Sequence, residues 1–384
     1  MTKLLILAAL SLAAGHAQMP EISLVSKSIS TAPVAVGDSL AVELSATGEW
    51  AAITSTADAL LPDLPRGPQD LQVYLRNTRT GEMRLVSRGT DGLPASGSSI
   101  ATGISADGRF VVFESDAPNL VPEDDNDASD IFLYDREASS LLLLSRGLGV
   151  PANGDSTGAM ITPDGRFVLF ESEADNLVAG DDNGAADLFR FDRGFGLVEL
   201  VTANASNSGP ALANAASFSP ALSSDGRWVA FITTATNAVS GLVQTNAQLI
   251  LRDLEGKMNI HVSRQADGTP EAYVASQAFS GDGSTLAYIS GYRFYIRQYP
   301  NPNAPIGGPF LGGFYVAHSD LSLYSIPNGA WTKAPSPNGA PGGFEVLEFA
   351  IGHTGQSIAY AARTRQETSP WNQLIENRFV YIYD

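Results

Sequence analysis

The stretch ITPDGRFVLFES (161–172) reads as two short strands around a tight turn, and five further stretches repeat it: LSATGEWAAITS (44–55), ISADGRFVVFES (104–115), LSSDGRWVAFIT (222–233), FSGDGSTLAYIS (279–290) and AIGHTGQSIAYAA (350–362). Their turn glycines, Gly48, Gly108, Gly165, Gly226, Gly283 and Gly355, recur at intervals of 57 to 72 residues. Asp-Gly between two alternating runs marks a hairpin, because glycine accepts the positive φ that primed turns require. The repeated aspartate is therefore read as turn chemistry and not as a row of catalytic acids. A period near 60 with several short strands per unit fits a propeller blade, since one such unit cannot bury its apolar faces alone.

Working outward from the third copy, the expected strands are 159–162, 166–172, 188–192 and 197–202. The expected fold is all-β: a six-bladed β-propeller of four-stranded antiparallel blades. The two ends of the chain explain each other. FVYIYD (379–384) matches the third strand of earlier copies, IFLYD (131–135) and LFRFD (188–192), whereas EISLVSKS (21–28) matches the fourth, MRLVSRG (83–89) and LLLLSRG (141–147). The N-terminal strand is thus expected to complete the last blade and close the ring, leaving no open sheet edge.

Lys3, the apolar run 4–14 and the segment Gly15-His16-Ala17 read as a secretory leader, expected at residues 1–17 and too short to span a bilayer. Residues 18–384 are then one domain, secreted or periplasmic, with an insertion at 291–320 in the fifth blade. That insertion holds two aromatic runs, RFYIRQY (293–299) and GFYVAHS (313–319), and reads as an extra hairpin. The chain has no cysteine, hence no disulfide framework. Its formal charge of −18 opposes nucleic acid and anionic membranes as partners. No further run reaches membrane length, and a monomer is expected.

Two loops carry the sharpest chemistry. NLVPEDDNDASDIF (119–132) and NLVAGDDNGAADLF (176–189) place Asp124, Asn126, Asp130 and Asp181, Asn183, Asp187 at the same offsets, D-x-N-x-x-x-D. Calcium takes several oxygen ligands from flexible loops of this kind, although the closing bidentate glutamate of an EF-hand is missing. The other reading is local Asx-turn chemistry. The fourth copy has Leu242, Gln244 and Gln248 instead, so folding of a blade does not require the acids.

Enzyme signatures are sparse. GDSTG (154–158) matches a nucleophile pattern around Ser156, but between two strands and not at a strand-to-helix elbow. His261, His318 and His353 have no metal-ligand spacing. In a meander of four strands the first-to-second and third-to-fourth turns share one face, and the longer loops share the other. Loops on a stiff frame collect function, so a protein or other ligand is expected on the long-loop face.

The signature S-x-D-G-R-x-V-x-F-x-S, followed by NLV, an acidic loop and an IFLYD-like strand, resembles the TolB-type, WD-repeat-like propeller repeats of bacteria. The resemblance spans copies two to four most closely, and it implies a secreted six-bladed propeller. Three functions follow as expectations: a non-enzymatic binding propeller, calcium-stabilised at the two acidic loops; a lyase, lactonase or glycosidase with an acidic or metal-bearing channel; or a structural envelope or matrix component. The first is preferred because the innermost strands, such as GAMIT (158–162), carry mostly small and aliphatic residues.

Overall fold

A computed structural model describes residues 37–57, 60–61, 70–147, 149–204, 213–242, 246–264, 268–271, 274–299, 312–334, 343–368 and 373–383. The leader expected at 1–17 and the strand expected at 21–28 lie outside them. The described residues are all-β. Sheet 1 is a meander of β1 (Ser39–Leu44), β2 (Trp50–Ser55), β3 (Gln72–Asn77) and β4 (Met83–Leu85). Sheet 2 repeats it with β5 (Ser99–Ile104), β6 (Phe110–Ser115), β7 (Asp130–Asp135) and β8 (Ser140–Leu143), followed by a ribbon of β9 (Arg146–Gly147) and β10 (Val150–Pro151). Sheet 3 comprises β11 (Ser156–Ile161), β12 (Phe167–Ser172), β13 (Asp187–Asp192) and β14 (Leu197–Leu200), within a few residues of the expected bounds. Sheet 4 comprises β15 (Ser217–Leu222), β16 (Trp228–Thr233), β17 (Gln248–Asp253) and β18 (Met258–His261). Sheet 5 comprises β19 (Val274–Phe279), β20 (Thr285–Tyr299), β21 (Gly312–Ser325) and β22 (Ala330–Lys333). Sheet 6 has three described strands, β23 (Gly343–Ile351), β24 (Ile358–Thr368) and β25 (Gln373–Tyr383).

In sheets 2 to 5 the two middle strands are apolar on both faces because each of these sheets is packed between two neighbours. Phe113 and Phe132 join Trp50 and Val73 between sheets 1 and 2, while their strand neighbours Val112 and Ile131 face Val168 and Phe189 of sheet 3. The same alternation builds cores between sheets 3 and 4 (Leu169 with Phe231), 4 and 5 (Ile232 with Tyr288), and 5 and 6 (Ile289 with Tyr360). Each fully buried Phe contributes about 1.5–3 kcal/mol, and period-two alternation lets one strand serve two cores.

The Asp-Gly-Arg turn locks successive sheets together. Gly108 has φ +69, and a Cβ there would lie 2.5 Å from the Trp50 ring of the preceding sheet. Only a bare backbone at positive φ fits so close to that ring. Arg136 completes the sandwich, its guanidinium 4.4 Å from the Trp50 ring centre and its Nε donating to the Gly108 carbonyl at 3.0 Å. Arg193 repeats this at the next seam with Phe110 and Gly165, at 4.2 Å and 2.8 Å. Asp107 accepts from Ser105 Oγ and the Arg109 amide, and Arg109 forks onto Asp135 at 3.0 and 2.8 Å. Arg166 with Asp192 and Arg227 with Asp253 do the same. Backbone bonds from Ala46 to Ala106, and from Ala106 to Pro163, string the turns along one face. That face is occupied by structural work.

Candidate functional site

The opposite face carries the two acidic loops, and their geometry begins at the first residue of each third strand. Asp130 is wholly buried and accepts hydrogen bonds from Ser145 Oγ and from Asn126 Nδ2, the latter at 2.7 Å. Asn126 Nδ2 also donates to the Ala152 carbonyl at 2.7 Å, and its Oδ1 accepts from the Ala128 amide. In the next sheet Asp187, Thr202, Asn183 and Ala213 repeat the arrangement, with Asn183 Nδ2 donating to Asp187 Oδ2 at 2.6 Å and to Ala213 O at 3.0 Å. Each Asp–Asn pair ties its third strand to the fourth strand and to the chain leading into the following sheet.

Sheets 1 and 4 make the same tie with one residue. Gln72 Oε1 accepts from Ser87 Oγ at 2.7 Å while its Nε2 donates to the Ala95 carbonyl at 3.1 Å. Gln248 Oε1 accepts from Ser263 Oγ, and its Nε2 donates to the Glu271 carbonyl, both at 2.9 Å. The longer glutamine spans what Asp plus Asn spans in sheets 2 and 3. Gln72 and Gln248 are members of this set of ties that the acid pattern does not reveal. The signal that could have found them is positional, a hydrogen-bonding residue at the start of the third strand in sheets 1 to 4 followed by Ser or Thr fifteen residues later.

Burial without a cationic partner raises these carboxyls. Asp130 is pushed up to about 7, chiefly by desolvation and with Asp124 alongside; Asp187 is raised for the same first reason. Asp181 is pushed up to about 6 by burial and by the charge of Asp187. Asp124 is buried and also raised by desolvation. One atom stands out: Asp181 is 9% exposed, and its Oδ2 is buried with no hydrogen-bond partner among the described residues. The structure thus brings Asp124 to Asp130 and Asp181 to Asp187, but it turns the amides of Asn126 and Asn183 toward the carboxylates. Among the described residues no three His, Cys, Asp or Glu side chains converge to hold a metal ion.

The remaining sequence motifs resolve into scaffold. In N-L-V, and in N-A-V of sheet 4, the asparagine Oδ1 caps the incoming chain: Asn119 accepts from the Ser96 amide, Asn176 from the Asn153 amide and Asn237 from the Asn214 amide. Leu120 and Leu177 enter the cores. Ser156 is buried in β11 and bonds Ser172 Oγ at 2.9 Å, as Ser99 bonds Ser115 in sheet 2 at 2.8 Å, so it is a repeat element and no nucleophile elbow. His261 bonds Gln248 Oε1 at 2.9 Å and its pKa is lowered by burial. His353 lies in the turn face, its carbonyl accepting from the Asp282 amide. His318 is on β21.

The insertion is not a separate hairpin. It prolongs β20 and β21 as one ribbon, paired from Thr285↔Ser325 through Tyr299↔Gly312 with an irregularity between Ser290 and Arg293. Sheet 6 extends likewise, with β24 and β25 paired through Thr368↔Gln373. Both ribbons project on the face of the acidic loops.

No protein-family model matches the chain, and no curated protein matches it. Among solved structures, the chain is similar to a TolB-type protein of Agrobacterium tumefaciens at 14% identity, covering 78% of this chain and 81% of that one, with a TM-score of 0.40. It is similar to the β-propeller domain of Cps50 from Myceliophteria thermophila at 13% identity, covering 86% and 94%, TM-score 0.36. It is also similar to the acylaminoacyl peptidase of Pyrococcus horikoshii at 11% identity and TM-score 0.46, covering 90% of this chain but 44% of the peptidase.

Proposed function

We propose that the protein is a secreted or periplasmic six-bladed propeller that works as a non-enzymatic binding scaffold through its long-loop face. The observation that carries this reading is the asymmetry of the two faces. One is stitched by Asp-Gly-Arg turns, while the other presents exposed loop acids, such as Asp125 and Asp127, and two projecting ribbons. Closure of the ring belongs to the same proposal. Sheet 6 has Val380 and Ile382 at 75% and 76% exposure on the face turned away from sheet 5, and β1 leaves Val42 and Leu44 exposed on the face turned away from sheet 2. Packing these apolar faces together, with residues 21–28 as a fourth strand beside β25, would bury them.

The test places a photo-cross-linking benzophenone residue at Asp127, Asp182 or Gln298 on the long-loop face and at Asp164 on the turn face. Adducts with a native envelope or extracellular component are expected from one or more of the first three and not from Asp164. Adducts from Asp164 alone, or from none, overturn the reading.

One observation favours calcium at the acidic loops as a second reading: the buried, unpartnered Asp181 Oδ2. Calorimetric titration of Ca²⁺ into chelator-treated protein, with Asp130→Ala plus Asp187→Ala as control, is expected under this reading to show saturable binding that the double variant loses and a raised melting temperature. An absence of heat at millimolar calcium leaves the acids as hydrogen-bonding ties.

A further inference from the structure

The fourth-strand end of the seam between sheets 1 and 2 holds a cavity of about 460 Å³. One wall is β4 and the residues that follow it through Gly89, and the other is Tyr134, Ser139 and Leu141 of sheet 2. The volume lies in the range of small-molecule sites, roughly 300–1,000 Å³. Leu85, Val86 and Leu141 make the lining apolar, and Arg84 and Arg88 share it with no acid among the lining residues.

The seam between sheets 4 and 5 shows what such a space accommodates. By strand register, Val86, Arg88, Tyr134 and Leu141 correspond to Val262, Arg264, Tyr324 and Trp331. Trp331 Nε1 donates to the Val262 carbonyl at 2.9 Å, and the indole lies 5.0 Å from the Tyr324 ring, centre to centre. The Arg264 guanidinium stands 4.4 Å from the indole centre. In sheet 2 the corresponding side chain is leucine, so the ring is missing while its surroundings remain. The Val86 carbonyl accepts from the Arg88 amide at 2.9 Å, as the Val262 carbonyl does from Arg264 at 2.8 Å, and a carbonyl has a second lone pair to offer. The chain thus carries one copy of this ring site with the ring built in and one copy without it.

Arg84 adds charge to the copy without the ring. Its counterparts in the other described fourth strands are Leu142, Glu199, Ile260 and Thr332, so a cation at this position is particular to sheet 1. Glu82 pairs with it at 2.7 Å, and it donates to the Arg136 carbonyl at 3.3 Å, which fixes the guanidinium. Counting Glu82 against the two arginines leaves the site net positive.

We infer that this cavity binds a small aromatic anion, a flat ring with an N–H donor and an acid group. The ring packs between Tyr134 and Arg88 as Trp331 packs between Tyr324 and Arg264, the N–H donates to the Val86 carbonyl, and the acid group faces Arg84. Ring–ring and cation–ring attraction hold the flat part, and charge-assisted hydrogen bonds hold the acid. The inference is independent of the binding role proposed for the long-loop face.

The test is calorimetric titration of the purified protein with indole-3-acetate, with tryptamine, which keeps the ring and reverses the charge, and with cyclohexaneacetate, which keeps the acid and lacks the aromatic ring. Saturable binding of indole-3-acetate is expected with a Kd below about 1 mM, and binding of the other two weaker by about tenfold or more. Leu141→Trp should abolish binding and raise the melting temperature, because the new indole takes the place that Trp331 holds in sheet 5. Arg84→Gln should narrow the preference for indole-3-acetate over tryptamine to within about threefold. If Leu141→Trp instead lowers the melting temperature, Arg88→Gln serves as a second variant and should weaken indole-3-acetate by on the order of tenfold. Affinity unchanged in a folded Leu141→Trp, or in Arg88→Gln, overturns the site. Equal binding of tryptamine overturns the anion, equal binding of cyclohexaneacetate overturns the ring, and no saturable heat from any of the three overturns the inference as a whole.

Discussion

Replacing Asn126 with alanine removes one side-chain amide and leaves two wholly buried groups without it. Its Nδ2 reaches Asp130 Oδ2 and the Ala152 carbonyl, both at 2.7 Å, and both residues are fully buried. Each buried polar group left unsatisfied costs about 1–3 kcal/mol, so the variant should lose about 2–6 kcal/mol. For a chain of this size that corresponds to roughly 4–12 °C at about 2 °C per kcal/mol. Adding Asp130→Gln should restore at least half of the loss, because Gln72 shows one glutamine serving both the hydroxyl of Ser87 and the carbonyl of Ala95. Thermal melts followed by circular dichroism, at neutral pH with chelator or calcium, give the comparison. A double variant as unstable as Asn126→Ala, or rescued only by calcium, would refute the equivalence of Asp plus Asn with Gln.

Two further outcomes follow from the same seams. Gly108→Ala should cost more than 2 kcal/mol, since a methyl meets the Trp50 ring at 2.5 Å in a left-handed backbone, whereas Gly184→Ala, at φ +62 with open space around it, should cost about 1 kcal/mol of backbone strain. Urea midpoints of the two variants check the difference. The Arg227 fork holds the Asp253 carboxyl below the usual carboxylate range. A depressed carboxylate gives stability that is present above the unfolded pKa of about 4 and lost as pH falls through the folded value. Arg227→Gln should therefore move acid unfolding to higher pH, and an unchanged acid midpoint would show the pair to be without effect.

Much of this was legible because the repeat compares the protein with itself. Gly108, Gly165 and Gly226 carry both the turn and the seam, so their spacing gave the sheets directly. The ribbons were harder. RFYIRQY reads as a strand, but its continuity with β20 depends on pairing to β21 across a long connection; the sheet 6 extension, RTRQETSPWNQLIENR (363–378), is too polar to show alternation. The acidic loops looked special to two copies because offsets alone cannot show that Gln72 and Gln248 reach the same carbonyl position with one side chain. Arg136 and Arg193 escaped notice for a related reason: the ring each covers belongs to the preceding repeat.

The proposed architecture is a ring of six blades closed by a strand from the N-terminal segment. By the register of Leu133 with Leu142 in sheet 2, Ser23 should lie opposite Ile382. The chain has no cysteine, so Ser23→Cys plus Ile382→Cys introduces the only two thiols. Mild oxidation followed by non-reducing proteolysis and mass spectrometry should recover one intramolecular disulfide between the N-terminal and C-terminal peptides, a geometry that requires Cβ atoms about 3.5–4.5 Å apart. Free thiols in a folded protein, or disulfides formed only between molecules, would contradict the closed ring.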